Sequence, residues 1–286
     1  MSDKGALVKL CQEMDLRVPQ SDLYQNQQDF LTCQKSYRFP VVLKPTLSRI
    51  KSQSAALSKE SWINTAVTYA NSNEELLALI NSKKYFRDYP FLLQEYIAGY
   101  GSGVFLLYDK GAYVAHFAHK RLREKPPTGG VSVLCESIEP DPEQLAVSKK
   151  LLDEVGWHGV AMVEFKVDRQ GKPYVIEVNP RFWGSLQLAV DAGVDFPAML
   201  HEVTTNRKLR YPLNYKIGQR LRWLLGDVDR LYIIWKGHEY GLFYKIKSTI
   251  SFLIPLMPSA RYEVNRLGDM KPFWFEIRAY FRDLLK

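Results

Sequence analysis

The stretch Ala161 to Arg181, AMVEFKVDRQGKPYVIEVNPR, constrains this chain more than any other. It spells two β-strands, AMVEFKV and PYVIEVN, joined by the polar turn Asp168-Arg169-Gln170-Gly171. Side chains alternate along a strand, so Val163, Phe165 and Val167 share one face while Met162, Glu164 and Lys166 take the other. On the second strand Tyr174, Ile176 and Val178 fall together, opposite Val175, Glu177 and Asn179. An even loop, as DRQG suggests, stacks the two apolar sets on one sheet face and brings Glu164, Glu177 and Asn179 together on the other.

Two carboxylates facing each other across neighbouring strands repel, and one pKa rises unless a cation sits between them. A divalent ion is the simplest relief. Carboxylates and an amide carbonyl are hard oxygen donors, which suits Mg²⁺ or Mn²⁺ better than zinc, and Mg²⁺ usually completes its shell with water and substrate phosphates. The implied partner is a nucleoside triphosphate. Arg181, two residues past Asn179, stands where a guanidinium could clamp a phosphoryl or carboxylate oxygen. A solvated sheet face with incidental acids is the plain reading of any Glu-x-Asn taken alone; Glu164 at matching parity and Arg181 nearby weigh against it.

Glu164, then EVNPR at 177–181, followed by FWGSLQLAVDAGVDFP, resembles the metal-binding signature of the ATP-grasp superfamily, nearest to its carbamoyl-phosphate-synthase-like and carboxylate–amine ligase branch. The resemblance spans roughly residues 1–210 and is most specific in the second half. It implies an α+β fold of two lobes with ATP between them, with Glu164, Glu177 and Asn179 holding two Mg²⁺ ions that bridge ATP phosphates. Arg181 is then expected at the reacting phosphoryl group.

Other segments take their places from the same resemblance. The apolar strand FPVVLKP, 39–45, ends in Lys44, where the family keeps its α/β-phosphate lysine; a lysine merely closing a strand in solvent is the alternative. The loop that follows has no glycine, so Ser48, Ser52, Ser54, Arg49 or Lys51 would have to stand in for a Gly-rich phosphate cover. The segment FLLQEYI, 91–97, matches the hinge where Gln94, Glu95 and Ile97 would meet the adenine, the latter two through backbone groups. Lys120 or Arg121 would contact the γ-phosphate or the substrate carboxylate. His116 and His119, three apart on a strand, point to opposite faces and take structural roles. Gly99, Gly101 and Gly103 open no helix, so they fit a close crossing of strands better than a dinucleotide loop.

The expected organisation is a linker helix leading into the first lobe (1–37), a small lobe (38–97), a large lobe with the metal site (98–210) and a mostly helical C-terminal extension (211–286). The α/β domain that normally precedes the linker helix in the family is expected to be absent, since the chain opens at that helix. Within it, Ser2 or Asp3 reads as the N-cap of a helix over 2–15, Ser72 and Glu75 as a capping box, and Asp141-Pro142 as another helix start.

Composition narrows the rest. A net charge of +8 and a pI near 9.2 favour anionic partners. No nucleic-acid-binding motif or long basic run accompanies the charge, which ranks nucleic acid low. Cys11, Cys33 and Cys135 are widely spaced with no CxxC, pointing to a reducing, cytoplasmic setting without a disulfide framework or zinc site. Residues 1–20 are charged throughout and read as no signal peptide. The aromatic and basic extension is compatible with helices lying on a membrane surface, though a dimer-forming or self-packing role is the plainer reading.

These features predict an ATP- and Mg²⁺-dependent ligase that joins a small-molecule carboxylate to an amine through an acylphosphate. Two alternatives are an ATP-binding module without turnover, suggested by the glycine-free loop and the missing domain, and a basic membrane or nucleic-acid binder.

Overall fold

The computed structural model describes residues 2–33, 35–51, 62–207, 214–254 and 260–284. They form two compact units, Met1–Gly99 with Val163–Pro180 and Tyr100–Met162 with Arg181–Lys286.

In the first unit the chain runs through α1 (Lys4–Glu13), β1 (Ser21–Tyr24), α2 (Gln27–Thr32), β2 (Val41–Pro45) and β3 (Arg49–Lys51). It continues through β4 (Trp62–Asn64), β5 (Thr68–Ala70), α3 (Asn73–Ser82), α4 (Lys84–Asp88) and β6 (Phe91–Glu95). Capping chemistry sets the helix starts. The Asp3 carboxylate accepts the Ala6 N–H, and Ser72 Oγ accepts that of Glu75. Strands β1, β6, β2 and β5 form an antiparallel sheet in that order, and β3 and β4 a separate ribbon. Leu43, Leu93, Phe86, Leu76 and Ile80 pack into one core beneath the sheet.

The second unit starts on β7 (Gly99–Asp109) and β8 (Ala112–Lys125), then β9 (Val131–Ser137) and α5 (Pro142–Glu154). Strand β10 (Gly159–Asp168) begins in this unit and ends in the first, where it lies beside β11 (Pro173–Asn179). The chain then returns to the second unit for α6 (Leu186–Ala192), α7 (Phe196–Thr204), β12 (Arg220–Arg222), α8 (Leu224–Lys236), α9 (Leu242–Leu253), β13 (Ala260–Tyr262) and α10 (Lys271–Leu284). Strands β7, β8, β9, β12 and β13 neighbour one another in that order. The Asp109-Lys110-Gly111 turn closes as expected, with Lys110 and Gly111 both at positive φ, the geometry that fits the twist of a tight hairpin. Trp183, Phe105, Phe117, Phe196 and Met199 form the core, with α6 and α7 packed into it.

Early in the extension, within GQRLRWLL, only Arg220–Arg222 is extended, and Leu224 and Leu225 open α8. Ser52, Ser54 and the start of the extension at Tyr211 lie outside the described residues. Among the described residues all three cysteines are free, and burial pushes the Cys11 and Cys135 thiols up to about 12, which leaves them inert. No described helix is long and apolar enough to cross a membrane.

The close approach read into the glycines is real at Gly99. A β-carbon there would sit 1.8 Å from the Val167 carbonyl oxygen, a backbone atom that cannot swing aside. Gly99→Ala is therefore expected to destabilise by about 1–3 kcal/mol, while Gly184→Ala, with nothing within 4 Å, stays within about 0.5 kcal/mol. Urea denaturation of the two variants checks the difference.

Candidate active site

The hairpin of β10 and β11 carries the predicted acids, but its register differs from the expected one. The Asp168 N–H donates to the Lys172 oxygen (3.0 Å) and the Gly171 N–H to the Asp168 oxygen (3.1 Å), which closes a three-residue loop with Gly171 at positive φ. An odd loop moves the partner strand by one residue. Val175 is buried with Val163, Phe165 and Val167, whereas Tyr174 and Ile176 are only half-buried. The alternation then breaks: Ile176 and Glu177 are both half-buried before Val178 is buried again. Glu177 nonetheless shares an electrostatic neighbourhood with Glu164, since both act on Lys44.

Lys44 records that neighbourhood. It lies on β2, paired so that Lys44 and Gln94 occupy one face of the sheet, and it is buried. Its Nζ donates to Gln94 Oε1 at 2.7 Å, and Gln94 Nε2 donates to Ser21 Oγ at 2.8 Å. Burial lowers the Lys44 pKa to about 8; Glu164 and Glu177 pull it back up, and Lys4 and Lys166 push it down.

Lys4 is the residue that sequence reasoning missed. Its helix α1 packs on β11, and the Arg17 carbonyl beyond the helix accepts the Val175 N–H at 2.9 Å. Lys4 is buried, with Nζ 2.9 Å from Ser48 Oγ and 3.5 Å from Glu177 Oε2. A signal was available: a lysine in the first helical turn opposes the helix dipole, so its placement there suggests a task elsewhere. The first unit thus gathers two buried lysines around two carboxylates, with Asn179 half-buried at the end of the same strand.

The remaining predicted residues divide. Gln94 accepts from Lys44 and donates to Ser21, so its side chain orients the lysine. Glu95 is tied to Gln20 twice, its N–H to the Gln20 oxygen (2.9 Å) and its carboxylate to the Gln20 N–H (2.8 Å), which removes that N–H from adenine readout. Ile97 follows β6, half-buried and outside any strand. Ser48 accepts from Lys4, and Arg49 donates to Asn64.

Lys120, Arg121 and Arg181 belong to the second unit. Adjacent residues on β8 face opposite ways, so Lys120 and Arg121 do not share a task. Lys120 Nζ stands 4.1 Å over the Tyr100 ring. Arg121 donates to Glu124 and to the Gly130 carbonyl at 3.0 and 3.1 Å, which ties it to the loop ahead of β9. Arg181 is exposed, with Nη1 on the Phe182 oxygen. His116 bonds Tyr113, and His119 bonds Ser185 with burial keeping it neutral, as structural histidines do.

Among the described residues no group of three His, Cys, Asp or Glu side chains could hold a metal. The Glu164, Glu177 and Asn179 set is of another kind, two carboxylates and an amide beside buried cations, and its hard oxygen donors fit Mg²⁺.

The fold is that of the ATP-grasp enzymes, among them carboxylate–amine ligases. Residues 87–226, just under half of the chain, match the family described as ATP-grasp in the biosynthetic pathway with Ter operon. No curated protein matches the chain in sequence. Among solved structures it is similar to an L-amino acid ligase from Bacillus licheniformis (19% identity, TM-score 0.53, 74% of this chain and 48% of that one). It is also similar to an ADP complex of N5-carboxyaminoimidazole ribonucleotide synthetase (16%, TM-score 0.60, 88% and 70%). A third is a biotin carboxylase ATP-analogue complex from Campylobacter jejuni (18%, TM-score 0.59, 77% and 49%). The chain spans about half the length of the amino acid ligase and the carboxylase.

Proposed function

We propose that the protein is an ATP-dependent, ADP-forming ligase that joins a small-molecule carboxylate to an amine through an acylphosphate. The observation that carries this reading is the buried Lys44, electrostatically coupled to Glu164 and Glu177 within one unit. A buried ammonium beside two acids is poised for a charged ligand that supplies both signs, and a magnesium-loaded triphosphate does so. Glu164, Glu177 and Asn179 would hold Mg²⁺, which neutralises phosphate charge when bound. Lys44, oriented by Gln94, grips phosphate oxygens, and Lys4 offers a second cation from the helix start. Lys120 and Arg181 are the second unit's candidates for phosphoryl and carboxylate oxygens. The carboxylate attacks the γ-phosphorus, ADP leaves, and the amine displaces phosphate from the acylphosphate; positioning and electrostatics are the protein's contribution. The amino acid ligase among the similar structures supports an amide product.

The test is ADP release with Mg²⁺ over a panel of carboxylates crossed with amines. Turnover that needs both substrates supports the ligase; tight ATP binding with no turnover for any pair makes the protein a nucleotide-binding module and overturns the proposal.

A pH dependence follows from Lys44. It is charged below about 8 and neutral above, so kcat/KM for ATP is expected to fall through a single ionisation as pH rises past that value. Bound triphosphate favours the charged form, so the same limb in kcat lies at higher pH. Lys44→Met removes the limb and starts from a much lower rate; pH–rate profiles of both proteins check this.

A further inference from the structure

Helix α9 is amphipathic the wrong way round for a soluble surface. Leu242, Phe243, Ile246, Ile250, Leu253 and Ile254 recur at helical spacing and face outward, with Phe243 82% exposed and Leu253 69%. Ser248, on the opposite side, is 6% exposed. The inward side is polar because it is bonded: Arg123 Nη2 donates to the Ser251 carbonyl (2.7 Å) and hydroxyl (3.0 Å), and Arg222 Nη2 to the Phe252 carbonyl (3.0 Å). Two guanidiniums therefore cap the C-terminal carbonyls of α9 and fix which face it shows.

We propose that this outward face docks on an anionic lipid surface, the helix lying in the plane of the membrane interface. The stripe runs about 18 Å along the helix, and no described helix could cross a bilayer, so the mode is peripheral. Charge selects the lipid. Helix α9 carries Lys245 and Lys247 and no acid. Lys245 sits at the rim on the Trp235 carbonyl (3.0 Å), where Trp235 is itself 47% exposed, a lysine and tryptophan border of the kind found at membrane interfaces. A second copy of the chain would set the same lysines against each other with no acid on the helix to answer them. An acidic peptide would need a groove, and a side chain as exposed as Phe243 lies in none; acyl chains close around a ridge.

The test is co-sedimentation of the full chain with phosphatidylcholine vesicles, with and without phosphatidylglycerol, together with sedimentation velocity in the absence of lipid. The wild type is expected to bind the phosphatidylglycerol vesicles, weakly or not at all the neutral ones, and less as ionic strength rises. The double variant F243S/I250S, altered only at exposed positions, is expected to lose at least about tenfold in binding, and K247E to lose binding to a smaller degree. A wild type that ignores phosphatidylglycerol overturns the proposal. So does a wild-type dimer that F243S/I250S converts to monomer without any change in vesicle binding, which would make the face an interface between copies. Neither measurement involves ATP turnover, so a failure of the ligase reading leaves the result interpretable.

Discussion

Glu177→Ala is expected to abolish ADP release, by at least about a hundredfold, while circular dichroism shows the fold intact. Glu177 has two tasks in this structure. It is one of the two carboxylates in the proposed ligand set, and it is the acid 3.5 Å from the buried Lys4 ammonium. It also raises the Lys44 pKa against burial, so its removal should drive that value further below about 8. The variant is then defective in two measurable ways: the metal requirement cannot be met at any practical Mg²⁺ concentration, and the alkaline limb of any residual kcat/KM moves to lower pH. Glu177→Gln keeps the volume and an oxygen donor while losing the charge, and it is expected to share both defects. Turnover retained in either variant refutes the assignment of Glu177.

Asp227→Ala is expected to cost about 3–5 kcal/mol of stability in urea denaturation. Asp227 is fully buried, and its Oδ2 receives Arg123 Nη1 at 2.5 Å and Arg222 Nε at 2.9 Å. Burial pushes the Arg123 pKa down and Asp227 opposes it, so the acid is what keeps two buried guanidiniums tolerable. Truncation leaves both without their counter-charge, the most expensive way to break a buried ionic group. Those same guanidiniums hold the end of α9, so hydrogen exchange in α9 should accelerate in the variant before the rest of the second unit loosens. Asp227→Asn retains a bonding oxygen and is expected to lose less.

Much of the first unit was legible because short-range chemistry decides it. Alternation marked β10 and β11, capping side chains marked α1 and α3, as they did α5 in the second unit, and an apolar run ending in a cation marked Lys44. What failed depends on contacts distant in sequence or on a one-residue choice. The hairpin register turned on whether Lys172 belongs to the loop or to its closing pair, which composition does not decide. The bond between Lys44 and Gln94 joins residues far apart in the chain, so the sequence did not display it. Nor did it display the bonds of Arg121 to Glu124 and the Gly130 carbonyl, which the bend of the chain ahead of β9 creates. The aromatic and basic extension hinted at an interface-lying helix, but only the Arg123 and Arg222 bonds say which side of α9 is turned outward.

The split composition of the first unit also governs how it is made. Lys4 and Lys44 leave the ribosome long before the acids at 164 and 177, and at translation rates of roughly 5–20 residues per second the delay is on the order of ten seconds. For that interval the nascent first unit carries Lys4 and Lys44 without Glu164 and Glu177, the acids that face them in the finished fold. Its final closure therefore waits on the hairpin, and the whole of Tyr100–Met162 is synthesised in between.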